Sequence, residues 1–177
     1  ENLIRVNAAG ISIVDLDGAI PNRLVESPDG SQILVFATWQ ECKEDDSDIV
    51  FPEECDELVE NSVLSIVSDA TVTSEVEIPS HLNTISFSND SSIAVAYLDY
   101  DTSGDIQVDG FADLGEVAFI RIADGTKGSA SVGFSPKQVL FSPDNQAVVM
   151  SRSQVVAVDL DTFEKTLEAP LTLDADQ

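Results

Sequence analysis

Three times along this chain an apolar strand runs into a Ser-x-Asp turn and out into a second apolar strand. The copies are Val25-Glu-Ser-Pro-Asp-Gly30 before Ile33-Leu-Val-Phe36, Ser86-Phe-Ser-Asn-Asp-Ser91 before Ile93-Ala-Val-Ala96, and Leu140-Phe-Ser-Pro-Asp-Asn145 before Ala147-Val-Val-Met150. Pro fixes φ at the first corner of such a turn, and Asp bonds its own backbone, so each copy is a hairpin signal with a mechanism. A second element also recurs, an alternating strand that ends in an acidic turn: Ile11–Gly18, Leu64–Ala70, Phe119–Gly125 and Val155–Thr162. Helical periodicity is almost absent, while short Val-, Ile- and Phe-rich runs alternate with Gly, Pro, Asn, Asp and Ser. The pattern predicts an all-β repeat protein, in which no unit can bury its apolar face without a neighbour.

The turn residues Asp69, Asp124 and Asp161 lie 55 and 37 residues apart. The shorter spacing leaves no spare residues, so about 37 is the bare repeat, close to the length of a four-stranded β-propeller blade. The longer units carry insertions, 40–61 and 99–115, both between the strand after the Ser-x-Asp turn and the alternating strand. The first copy is short: only 10 residues separate Asp17 from Ser27, which predicts a missing outer strand there.

The Ser-Pro-Asp-Gly turn, the apolar strand after it and Val155-Val-Ala-Val-Asp-Leu-Asp-Thr162 resemble the YVTN-type, lactonase-like β-propeller repeats, relatives of the WD-repeat propellers. The resemblance covers most of 11–167. It implies β-propeller blades, about three four-stranded units over roughly 19–78, 79–134 and 135–177, within one propeller-like region 1–177. It also implies that the Ser-x-Asp turn joins the innermost strand to the second, and that the insertions leave from one face. A ring needs about four to eight blades. Three units therefore read as a fragment of a larger ring, or as a chain whose ring another chain completes.

Composition narrows the partners. Apolar residues make up 43% of the 177, enough for a buried core. No run approaches the roughly 20 apolar residues of a membrane helix, so membrane insertion is not expected. The 33 acidic against 8 basic residues, net −25, repel phosphate backbones and anionic lipid, which argues against nucleic acid. Solubility in salty surroundings and cation binding are the two readings of that charge. The chain opens at Glu1 without Met or a signal-like segment, which reads as a mature or trimmed start. Cys42 and Cys55 are the only cysteines, the only His is the distant His81, and a Cys42–Cys55 disulfide is expected over zinc or two free thiols. The expected compartment is therefore extracytoplasmic: secreted, periplasmic or cell surface.

One loop has metal-ligand spacing. Asp99, Asp101, Ser103, Asp105 and Gln107 place oxygen ligands at relative positions 1, 3, 5, 7 and 9, with Gly104 at position 6. Alternate side chains converge on Ca²⁺ while Gly allows the sharp turn. The loop resembles the Asp-x-Asp-x-Asp-Gly calcium loops, but Ser stands at position 5 and Gly110 where an EF-hand has Glu; Asp109 and Asp113 are the candidates to replace it. A plain solvated acidic loop is the competing reading, and the same holds for Glu44, Asp45, Asp46, Asp48, Glu53 and Glu54 in the Cys loop. His81 has no second His or Cys nearby and reads as structural, and no nucleophile elbow, zinc-protease helix or phosphate loop is present. The sequence thus points to a non-enzymatic extracytoplasmic module for protein–protein interaction or surface assembly, stiffened by a disulfide and Ca²⁺. The alternatives are a lactonase-like enzyme whose active blades lie elsewhere and a carbohydrate-binding module.

Overall fold

The computed structural model describes residues 2–7, 10–16, 21–42, 58–79, 81–100 and 113–171. Among them are fourteen strands and no helix. The chain divides into two compact units, Glu1–Ser80 and His81–Gln177.

In the first unit β1 (Asn2–Asn7) pairs with β2 (Gly10–Asp15), and β3 (Pro21–Glu26), β4 (Gln32–Cys42), β5 (Leu58–Ser68) and β6 (Thr71–Glu77) form an antiparallel meander. Strand β2 is the alternating element of the short first copy, and no outer strand stands between it and β3 among the described residues. Val14 and Leu16 pack with Val35 of β4 and Val67 of β5, which joins the two sheets through one apolar layer. Strand β4 does not end where the insertion 40–61 begins. It runs to Cys42, and β4 and β5 pair continuously from Gln32↔Ser68 to Cys42↔Leu58. Their neighbours stop sooner, at Ala37 for β3 and, through Ile78 bonded to Ser62, just past Val63 for β6, so the four pairs from Trp39↔Asn61 to Cys42↔Leu58 are a two-stranded ribbon. Gln40 and Glu41 read as a loop because they break the apolar run by which the strand is recognised.

The second unit holds two four-stranded meanders. One is β7 (Thr84–Phe87), β8 (Ile93–Tyr97), β9 (Glu116–Arg121) and β10 (Lys127–Ser131); the other is β11 (Pro136–Ser142), β12 (Gln146–Ser151), β13 (Gln154–Asp159) and β14 (Lys165–Pro170). Strand β8 is buried along its whole length, which is why Ile93-Ala-Val-Ala-Tyr97 is apolar without alternation. The sheets share a core in which Ile93, Val95 and Phe119 of the first meet Ala147, Val149 and Val156 of the second.

The turns work as the sequence suggests, with one variation. In the first two copies the Ser hydroxyl donates to the Asp carboxylate (Ser27 to Asp29 and Ser88 to Asp90, both 2.7 Å) and accepts from the next strand (Gln32 N at 3.0 Å, Ile93 N at 2.9 Å). The third turn is one residue tighter, pairing Phe141 with Ala147 where the second pairs Phe87 with Ala94. There the Ser142 hydroxyl accepts from Asp144 N instead, at 3.1 Å. Hydrogen bonds from the Ser88 and Ser92 hydroxyls hold the Asp90 carboxyl below its ordinary pKa, as the Thr162 backbone N–H does for Asp159. Groups depressed this way stabilise the fold at neutral pH, and the contribution is lost as pH falls through their lowered pKa values.

Candidate functional site

Each insertion leaves its sheet between the second and third strands, after Cys42 and after Tyr97. In the second unit the root of that insertion is well defined. The Asn83 side chain, just before β7, accepts from Asp99 N (2.8 Å) and donates to Asp99 O (3.1 Å), which fixes the backbone as it leaves β8. The Asp99 carboxylate lies 3.6 Å from Lys137 Nζ at the start of β11. The next residue, Tyr100, is half exposed and packs against Phe134 of the β10–β11 loop, ring centroids 5.6 Å apart and tilted by 55°. At the far side of the insertion Asp113 accepts from Gly115 N at 2.9 Å, and Gly115 O accepts from Val132 N at 2.8 Å. Backbone approach there is so close that a Cβ on Gly115 would sit 2.8 Å from Gly133 O.

Of the calcium candidates, Asp99 stands at this root, with an ammonium beside it that competes with a cation for the same carboxylate. Asp101, Ser103, Asp105 and Gln107 lie outside the described residues, as do Asp109 and the Cys-loop carboxylates. Cys42 closes the β4–β5 ribbon opposite Leu58, and Cys55 lies outside the described residues. His81 precedes β7 and Ser135 precedes β11 at the corresponding position. His81 Nε2 and Ser135 Oγ are both buried without a hydrogen-bond partner. Ligand spacing singles out Asp99 in the sequence but gives no sign of Tyr100–Phe134, since nothing local marks two aromatics 34 residues apart as neighbours.

The opposite end of the unit is a lock between the two sheets. The Arg121 guanidinium donates to Leu160 O (3.3 Å) and Asp161 O (3.1 Å) and lies 5.3 Å from the Phe163 ring centroid. Phe163 holds a left-handed φ of 58°, where its counterpart in the preceding sheet is Gly125 at 70°. A bulky residue costs about 1–2 kcal/mol there. The return is packing: its ring stacks on Phe119 at 6.0 Å and fills the hollow over Gly128, where any Cβ would clash with it. Beside this lock a cleft of about 270 Å³ is lined by Ser88, Asp90, Phe141, Asn145 and Leu160, among others. Its carboxylate, Asp90, is already engaged by Ser88 and Ser92.

No protein-family model matches the sequence, and no curated protein matches it. Solved structures do. Apo AztD from Citrobacter koseri aligns over 96% of this chain and 42% of its own, at 14% identity and a TM-score of 0.51. Hydrazine synthase from Kuenenia stuttgartiensis aligns over 98% of this chain and 51% of its own, at 16% identity and a TM-score of 0.45. The dihydro-heme d1 dehydrogenase NirN aligns over 97% and 42%, at 12% identity and a TM-score of 0.43. The chain spans about half or less of each. At 14% identity the AztD likeness is one of fold, and with the three four-stranded meanders it makes this chain an all-β protein built of β-propeller blades.

Proposed function

We propose that the chain is part of a YVTN-type propeller outside the cytoplasm that binds another protein through its inserted loops, without catalysis. The observation that carries this reading is the Tyr100–Phe134 pair, two large side chains 48% and 45% exposed at the root of an acidic insertion. An exposed aromatic next to backbone fixed by Asn83, as Tyr100 is, loses little entropy on binding, and such residues dominate interface energetics. A photo-crosslinking amino acid at position 134, in the protein's native compartment, should give a discrete protein adduct that Tyr100→Ala reduces by about tenfold. Equal labelling from position 24 on β3 would reject the reading. Lactone hydrolysis or glycan binding sensitive to Tyr100→Ala would move it to the enzyme or carbohydrate alternative.

Ca²⁺ bound by Asp99, Asp101, Ser103, Asp105 and Gln107 belongs to the same proposal, as a stiffener of the insertion. A site specific to the folded state adds about 2.7 kcal/mol when free Ca²⁺ is 100-fold above its Kd. For a chain this size that is a rise in Tm of roughly 5–10 °C. Asp101→Asn should abolish the rise, measured with chelator against millimolar Ca²⁺ at fixed ionic strength, since screening alone would act on both proteins equally. An equal gain in both proteins, or none in either, leaves a solvated acidic loop.

A further inference from the structure

The cleft of about 270 Å³ beside the Arg121 lock lies between the Ser-x-Asp turns of the two sheets of the second unit. Its carboxylate, Asp90, is engaged through one oxygen only. Oδ1 accepts from Ser88 Oγ (2.7 Å), Ser92 N (3.1 Å) and Ser92 Oγ (2.8 Å), and among the described residues no hydrogen bond falls on Oδ2. The Ser88 and Ser92 hydroxyls hold the carboxyl below its ordinary pKa, so Oδ2 is a charged acceptor at neutral pH. Ser142 is the counterpart of Ser88 in the tighter turn. Its hydroxyl accepts from Asp144 N and donates to no carboxylate, which leaves a donor in the cleft lining. Asn89 and Asn145 each add a carboxamide, and neither side chain is hydrogen-bonded among the described residues. The turn does not demand Asn89, since Pro28 and Pro143 hold that place in the other two copies. The rest of the lining is apolar and includes Phe141, packed against the shared core, and the buried Leu160.

This set of groups selects its ligand by elimination. Among the described residues that line the cleft none is basic, so a phosphate or carboxylate would meet a negative charge with nothing to balance it. A bare metal ion finds one free carboxylate oxygen where it needs six or more ligands. A wholly apolar ligand would strip water from Oδ2 and two carboxamides and give nothing back. An organic amine satisfies Asp90 but offers the amide and hydroxyl donors nothing to donate to. A neutral ring with adjacent hydroxyls satisfies the whole set. One hydroxyl donates to Asp90 Oδ2, its neighbours accept from Asn89, Asn145 and Ser142, and the C–H face of the ring lies on Phe141. The volume falls just below the roughly 300 Å³ at which drug-sized pockets begin, so there is room for one ring and not for a chain.

We propose that this cleft is a binding site for a single neutral sugar ring. The site stands on the geometry of the second unit alone and is independent of the loop-end reading above.

Saturation-transfer NMR on the full chain, with neutral aldohexoses and their N-acetyl derivatives as probes, should find at least one that binds saturably. Asn89→Ala and Asn145→Gly should each weaken that sugar about fivefold, the worth of one neutral hydrogen bond. Gly30 holds the Asn145 place in the first turn, and both variants should melt within about 4 °C of the parent, so the loss reads the cleft and not the fold. Because the ligand is neutral, its affinity should be the same at low and high salt. A panel in which no sugar binds, or a sugar held equally by the parent and both variants, would overturn the site. So would cadaverine bound more tightly than any sugar and released by salt, which would assign the cleft to an organic cation. A sugar lost in Tyr100→Ala but kept in both cleft variants would overturn it as well, and would place glycan binding at the loop end.

Discussion

Phe119→Ala should melt roughly 10–15 °C below the parent, the largest single-residue loss expected in the second unit. Phe119 is fully buried between the two sheets and stacks on Phe163. Emptying such a site costs the transfer free energy of the ring plus the cavity, about 3–5 kcal/mol, and a chain this long loses about 2–4 °C per kcal/mol. Collapse cannot recover much, because Val95, Val149 and Val156 around it belong to paired strands. The variant also leaves Phe163 in its left-handed backbone with less packing to hold it. Unfolding in urea checks the figure independently, and a shift of the midpoint worth under 1 kcal/mol would mean that the two sheets do not share this core.

Gly115→Ala should cost about 3 kcal/mol, at the upper end of overpacking effects. The added Cβ would stand 2.8 Å from Gly133 O and 2.9 Å from Gly133 C, and neither backbone atom can swing aside as a side-chain tip could. The same movement would stretch the Val132 N–Gly115 O bond that ties the insertion to the β10–β11 loop, beside Phe134. Gly30→Asn is the contrast. Gly30 has a left-handed φ, 71°, as Gly115 does not, but a Cβ there meets only Glu26 Oε1 at 3.6 Å, and Asn145 occupies the same turn position at 58°. Denaturation should place Gly30→Asn within about 1 kcal/mol of the parent. A loss at Gly30→Asn as large as that at Gly115→Ala would show that the left-handed backbone, rather than contact, sets the cost at Gly30.

Most of the architecture was legible in the sequence because turns and strand alternation are local. Ser27, Ser88 and Ser142 each announce a hairpin within six residues, and the insertions announce themselves as interruptions of the repeat. What escaped was long-range. Lys127-Gly-Ser129 looks like turn chemistry, yet Gly128 is in mid-strand, vacated for a ring 35 residues later. Phe163 looks like a stray apolar residue in an acidic turn, and only the sheet-to-sheet register gives it a purpose. The third Ser-x-Asp turn is one residue tighter than the others, a slip that shows only in the pairing. At the candidate site the ligand spacing singles out Asp99, while Lys137 and Asn83, which lie against it, come from distant segments and leave no local trace.

The two-stranded ribbon beyond Thr38 and Ser62 makes the described base of its insertion a lever. Four pairs at about 3.4 Å carry Cys42 about 14 Å past the body of its own sheet. A ribbon without flanking strands twists more than one inside a sheet, and a bend of about 20° at its base would sweep Cys42 through about 5 Å. Whatever the Cys42 end of the chain touches is therefore met by an arm with reach and a single hinge, whose swing is set by where β3 and β6 stop rather than by the residues at its tip.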